Sequence, residues 1–280
     1  MASKSEDLSF EIPDPPYQNF FVANQDVSIQ VILASPLRVD KSDNKSSHRL
    51  LFAWPAGNSG AVLYFKPSDA KDSNGLKLSL HSQSPGRYLD PLVQIIESDA
   101  QGASKHAGIT AELHFSHPAT LDVAVLGSLR TIRDYTEGGG LLNKAVQDGI
   151  RSAAAENGAQ LTRTWFDGRT TTKVHFEPLQ PDAKVDASQQ NMTFSAGTYR
   201  VHATVNYPHS SFLPPAELLR PECYGLIDRY PKEVASLAFL MTREKFLAGA
   251  WRFFTYFGRD TLITLLLMEE ILAPEAVEIG

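Results

Sequence analysis

The chain has a single cysteine, Cys223, in 280 residues, so no disulfide can form within it. Its first residues, MASKSEDLSFEIPDPP, lack the apolar stretch of a secretory signal. Together these absences favour a cytoplasmic location. Long apolar runs are missing as well. The most apolar one, Leu262 to Met268, is followed at once by Glu269 and Glu270, far short of the roughly 18 residues a membrane helix needs. Nor does charge of one sign dominate. The 26 Lys and Arg and the 32 Asp and Glu give a formal charge of −6 and are interspersed, which disfavours nucleic acid or an anionic membrane as partner. What is present is apolar side chain, 42% of residues, sufficient for a real core in one large domain or two ordinary ones. Two N-x-S/T sequons, at Asn44 and Asn191, would matter only in a secreted protein, and such short matches arise often by chance.

From about residue 18 to 207 the dominant pattern is alternation of period two, which puts one set of side chains on a buried sheet face and the other toward solvent. Val27-Ser28-Ile29-Gln30-Val31 is the first clear case. Ala61 to Phe65, Leu76 to Leu80, Ile109 to Phe115, Leu121 to Leu126 and Tyr199 to Tyr207 follow, separated by turn-rich clusters at 55–60 and 82–86. Asp167-Gly168 between the stretches 161–166 and 169–176 predicts a tight hairpin. Many strands with short turns predict two sheets packed face to face. One helix is predicted among them, over 141–156, from Leu142, Ala145, Val146, Gly149, Ile150 and Ala153 at helical spacing, with Asn157-Gly158 as its cap.

After Tyr207-Pro208-His209 the texture changes, and Phe212-Leu213-Pro214-Pro215 reads as a linker. The predicted division is a flexible N-terminus over 1–17, a β-sandwich over 18–210, and a helical part over 211–280. Within the last, 232–248 reads as an amphipathic helix and 261–272 as a helix apolar on almost every side, which must be surrounded by others. Pro274-Glu275-Ala276 opens a third helix, proline being tolerated at the first helical position.

The run Tyr256-Phe257-Gly258-Arg259-Asp260-Thr261-Leu262-Ile263-Thr264-Leu265-Leu266 resembles the first barrel motif of glycogen-debranching amylo-α-1,6-glucosidases. More distantly it is similar to the aromatic-x-Arg-Asp element of glucoamylases. Leu240-Met241-Thr242-Arg243 and Phe253-Phe254-Thr255 extend the match upstream, and the turn Trp54 to Gly60 is similar to one found in these proteins. The resemblance implies a mainly β fold with a helical C-terminal part: a β-sandwich followed by the first helices of an incomplete (α/α)6 barrel of the six-hairpin glycosidases. It implies that Arg259 and Asp260 hold a sugar beside the scissile bond, with Phe257 or Tyr256 against the ring. It also implies that the acid and base come from later hairpins, so that no catalytic residue lies in this chain and neither metal nor organic cofactor is used.

Chemistry gives the pair a reason. Adjacent sugar hydroxyls, once buried, each need a donor and an acceptor, and charge-assisted bonds of this kind contribute roughly 1.5–3 kcal/mol each. Taken by spacing alone, the same residues read as a helix cap at Asp260 and a surface ion pair at Arg259. The two roles are compatible, since a capping carboxylate can still present an oxygen to a ligand.

Other candidates are weaker. His114 and His117 sit three apart, which on a strand points them to opposite faces, against metal ligation. Glu137-Gly138-Gly139-Gly140 lacks the Lys-Ser/Thr of a P-loop and reads as a flexible approach to a helix. Gly57 to Gly60 reads as a hairpin turn, not a nucleophile elbow. Cys223 reads as a buried structural thiol, and Trp165 and Tyr199 as sandwich core.

The expectation is therefore part of an α-glucan-processing glycosidase, inactive alone. Its partners would be an α-glucan or oligosaccharide substrate and the remaining barrel sequence or a second chain, with no nucleic acid and no membrane. The alternative is a noncatalytic carbohydrate-binding or scaffolding β-sandwich.

Overall fold

The computed structural model describes residues 7–37, 47–69, 75–96, 102–188 and 191–280, which leaves the Asn44 sequon outside the described residues. The alternating segments form antiparallel strands. In chain order they are β1 (Leu8–Glu11), β2 (Tyr17–Ala23), β3 (Ser28–Leu37), β4 (Ser47–Trp54), β5 (Ser59–Pro67), β6 (Leu78–His81), β7 (Asp90–Ile96), β8 (Ser104–Phe115), β9 (Ala119–Ser128), β10 (Arg151–Ala155), β11 (Gly158–Thr164), β12 (Thr171–Pro178), β13 (Val185–Ala187), β14 (Met192–Phe194) and β15 (Gly197–Val205). The helices are α1 (Leu129–Glu137), α2 (Lys144–Gln147), α3 (Pro215–Leu218), α4 (Gly225–Arg229), α5 (Pro231–Leu240), α6 (Gly258–Met268) and α7 (Pro274–Ile279).

The larger sheet has eight strands in the order β1-β2-β3-β4-β5-β9-β14-β13. The smaller runs β10-β11-β12-β15-β8-β6, with β7 also on β8. Their facing sides make one core, in which Ile29, Val31, Leu50, Phe52, Leu63 and Phe65 of the larger sheet meet Ile109, Leu113, Phe115, Val174, Phe176 and Val201 of the smaller. This is a mainly β sandwich, as its alternation predicts.

The other face of the larger sheet is buried too. Phe21, Ile32, Leu51, Ala53, Val62 and Val125 pack in a second cluster with Leu129 and Ile132 of α1 and with Val234, Ala238, Phe239, Trp251 and Phe254 of the helical part. The molecule thus has three layers, with the larger sheet in the middle. Gln30 ties the layers: its Nε2 donates to Asn19 Oδ1 at 2.8 Å, and its Oε1 accepts from the Trp251 amide at 2.8 Å.

Several expectations need correction. Residues 8–17 are not a loose terminus, because β1 pairs with β2 and Phe10 stacks on Phe21 at 4.9 Å. The helix predicted over 141–156 is a single turn, α2, followed by the strand β10. Its supposed cap, Asn157-Gly158, lies in the β10–β11 hairpin, where Ala155 faces Gly158. Gly158 has φ 131°, and a Cβ there would lie 2.0 Å from the Phe176 carbonyl oxygen, so strand pairing and close backbone approach prevail over helical spacing. The helix here is instead α1, capped by Ser128, whose hydroxyl accepts from the Thr131 amide at 3.2 Å. The glycines at 138–140 follow this helix: the Gly138 amide closes it on Asp134 O at 3.0 Å.

Likewise the helix predicted over 232–248 ends at Leu240. Thr242 Oγ1 accepts from the amides of Glu244 and Lys245, and this local turn competes with further helix. Phe212 and Leu213 are not a free linker, since both are buried and Phe212 bridges Thr242. β15 ends at Val205 and α3 begins at Pro215. Trp165 lies half-buried in the β11–β12 turn with Nε1 donating to Thr172 Oγ1, whereas Tyr199 is core. Cys223 is only partly buried, against the second cluster. No helix among the described residues is long and apolar enough to cross a membrane.

One buried polar group makes stability depend on pH. His48 is fully buried at one end of the sandwich, its Nδ1 2.8 Å from Ser35 Oγ, while that oxygen accepts from the Leu78 amide at 2.6 Å. Nε2, the other ring nitrogen, is buried with no hydrogen-bond partner. Burial lowers the His48 pKa to about 4. In the unfolded chain the value is about 6.5. Above pH 6.5 neither state is charged. As pH falls through 6.5 toward 4 only the unfolded state gains the proton, so stability declines by up to about 3 kcal/mol and then levels. Urea titrations of the wild type at pH 7.5 and 4.5 should show this loss, to which the burial-lowered His106, His175, His202 and His209 add, and His48→Gln should reduce it measurably; an unchanged difference would rule His48 out as a source.

Candidate functional site

The segment 249–257 is fixed from beneath before it presents anything. Trp251 is buried beside Gln30, and the Ala248 amide donates to Thr255 O at 2.9 Å. Arg252 pairs with Glu137 of α1, and the guanidinium of Arg133 lies 5.7 Å from the centre of the Phe253 ring. Helix α6 then starts at Gly258, three residues earlier than its pattern implies. Its cap position is Phe257, which offers no side-chain oxygen. Asp260 is therefore not the cap. It lies in the first turn, where a carboxylate still interacts favourably with the helix dipole. Thr261 anchors the turn inward, its hydroxyl donating to the Phe246 carbonyl at 3.2 Å.

The four residues singled out in the sequence are brought together on this exposed lip. Arg259 Nε donates to Asp260 Oδ1 at 3.1 Å, with Nη2 3.4 Å from Oδ2. The Arg259 side chain is 75% exposed and that of Asp260 38%, so the fork retains free donors and acceptors for a ligand. Tyr256 and Phe257 precede it in the chain, each about half exposed. Such a lip can do two things: exchange hydrogen bonds with adjacent hydroxyls and stack a ring against a pyranose face. It offers no acid and base pair of its own.

The same helix leaves its apolar side uncovered. Leu265 packs inward, but Leu262, Ile263, Leu266 and Leu267 face solvent, the last two at 72% and 75% exposure. These four side chains make an exposed apolar surface of the kind that associates. Replacing Leu266 and Leu267 by glutamate should lower self-association in light scattering while leaving the melting temperature within a few degrees. Unaltered association would place the sticky surface elsewhere.

A second concentration of polar side chains, on the outer face of the smaller sheet, is not found by sequence reasoning. Lys173 and His175 are the outward phase of a strand whose existence the alternation does reveal. Which residues of the neighbouring strand stand beside them depends on register, and no local pattern encodes it. Among the described residues, no group of three His, Cys, Asp or Glu side chains is placed to hold a metal ion. Compared with protein-family models, with curated proteins and with solved structures, the chain matches none of them.

Proposed function

We propose that the chain is the sandwich and sugar-holding portion of a glycoside hydrolase acting on α-glucans, with the lip at 256–260 gripping a terminal glucose next to the bond to be cleaved. The observation that carries this reading is the exposed Arg259–Asp260 fork at the start of α6, next in sequence to the half-exposed Tyr256 and Phe257. The motif's resemblance to the first barrel element of debranching amylo-glucosidases supports it. So does the uncovered apolar side of α6, the surface a helix would present to its neighbours in an (α/α)6 barrel.

Arg259 and Asp260 position substrate in this reading, and they do not break the bond. Glycoside hydrolysis requires a carboxylic acid to protonate the leaving oxygen and a carboxylate to activate water or attack the sugar. In the family resembled, both come from later hairpins.

Two measurements test the proposal. Glucose or maltose should bind the 280-residue chain, and Asp260→Asn should weaken binding about tenfold, the loss of one charge-assisted bond. Glucose release from α-1,6-branched dextrins by this chain alone should be undetectable; measurable release would overturn the placement of the acid and base elsewhere. The rival reading, a noncatalytic carbohydrate-binding sandwich, is favoured by the polar face of the smaller sheet.

A further inference from the structure

On the outer face of the smaller sheet the strand register aligns polar side chains in rows. One row crosses four strands: Thr110 of β8, His202 of β15, His175 of β12 and Gln160 of β11, each directly opposite the next. The neighbouring row is Gly108, Thr204, Lys173 and Thr162. At Gly108 the Ala203 carbonyl oxygen lies where a side chain would begin, 1.8 Å from the position of a Cβ. On the other side Arg200 pairs with Glu177 at 2.8 Å. A cavity of about 370 Å³ lies over Gln160, Lys173, His175 and His202 of these rows, bounded by Gln94 of β7, opposite the buried His106, and by the β10–β11 turn at Glu156-Asn157.

Apart from Glu177, which Arg200 holds, much of the polar lining is unpartnered. Among the described residues, the side chains of His175, His202, Lys173, Gln94 and Gln160 have no hydrogen-bond partner. Thr110 Oγ1 and His106 Nδ1 are buried without one. The half-buried side chains reach solvent and keep their donors and acceptors free for a polar ligand, while the two buried atoms beside them break the usual rule that buried polar groups are satisfied. Burial, followed by the Lys173 ammonium, holds His175 below the ordinary histidine range. Burial and then His175 do the same for His202, so both rings are neutral near pH 7.

Neutral imidazoles and carboxamides each offer one donor side and one acceptor side. A hydroxyl-bearing ligand needs that mixture, because every hydroxyl both donates and accepts. An oxyanion would want donors alone, yet Lys173 is the one cation of the lining, which also holds the carboxylates of Glu156 and Glu177. A metal ion would face the Lys173 ammonium between the two imidazoles. We infer that this cavity is a second carbohydrate site, binding a neutral oligosaccharide across His175, His202, Gln160, Gln94 and Lys173, on the far side of the sandwich from Arg259 and Asp260. The choice of an α-glucan as first probe rests on the proposed function; the site itself does not.

Calorimetry of the 280-residue chain with maltohexaose tests it. The expected result is saturable binding that His175→Ala combined with Gln160→Ala weakens at least tenfold, whereas Arg259→Ala combined with Asp260→Asn leaves that component intact. Lys173→Met, scored with a melting curve beside it, repeats the test should the first pair disturb folding. Binding lost only in the Arg259 and Asp260 variant would overturn the second site and leave the proposed function standing. Binding lost only in the cavity variants would do the reverse. No binding of maltohexaose, mannohexaose or chitohexaose, or saturation of the cavity by inorganic phosphate or zinc instead, would also overturn the inference.

Discussion

Replacing Phe194 with alanine should destabilise the protein by about 3–5 kcal/mol, the range for truncating a buried aromatic side chain. Its ring centre lies 4.9 Å from Phe115, 5.0 Å from Phe176, 5.4 Å from Tyr199 and 5.7 Å from Phe65, so it contacts aromatic rings from both sheets. The strand that carries it is short, and Met192 is its other buried anchor. β14 is joined to the larger sheet only through Thr193 opposite Thr120 and Phe194 opposite Ala119, and β13 hangs from β14. Removing the ring therefore opens a cavity and also releases the edge of the sheet. Urea denaturation would measure the loss, with solvent-facing Thr193→Ala as the control expected within about 0.5 kcal/mol. A cost below about 1 kcal/mol for Phe194→Ala would show that the surrounding rings close the gap.

Cutting the chain after residue 210 should have the larger effect. A sandwich over 18–210 is the natural unit by sequence, but the helical part covers one face of the larger sheet. Its removal uncovers Phe10, Phe21, Ile32, Leu51 and Ala53, and it leaves Gln30 Oε1 without the Trp251 amide. The Phe239 ring, 5.0 Å from Phe21 and 6.5 Å from Phe10, would be lost with it. An apolar surface of this extent exceeds what monomeric proteins leave open. Residues 1–210 are expected to be insoluble or aggregated where residues 1–280 melt cooperatively. A monodisperse short chain with an unchanged melting temperature would mean that the helical layer contributes nothing to the sandwich.

Which parts of this fold could be read locally follows from how many faces each strand buries. β6, β8, β12 and β15 are covered on one face, and their alternation is plain. β4 is covered on both, so Leu50-Leu51-Phe52-Ala53-Trp54 shows no alternation and goes unrecognised. The hairpin around Asp167-Gly168 is real, but its chemistry differs from expectation. Thr164 faces Thr171 across six residues, and Asp167 acts through its side chain, accepting from the amides of Arg169 and Thr170, while Gly168 takes the positive φ of 69°. The lip at 256–260 is contiguous in sequence and legible as a motif. The row from Thr110 to Gln160 is assembled from four separate strands and is not.

The middle position of the larger sheet also governs how freely the sequence can vary. Along Ile29 to Leu33 and Leu50 to Ala53 there is no solvent-facing phase, so substitution there has no neutral direction: each position touches either the opposing sheet or the helical layer. The smaller sheet is different. Its outward side chains carry no structural duty toward a third layer, and a surface of that kind can change its binding chemistry one residue at a time while the scaffold beneath stays the same.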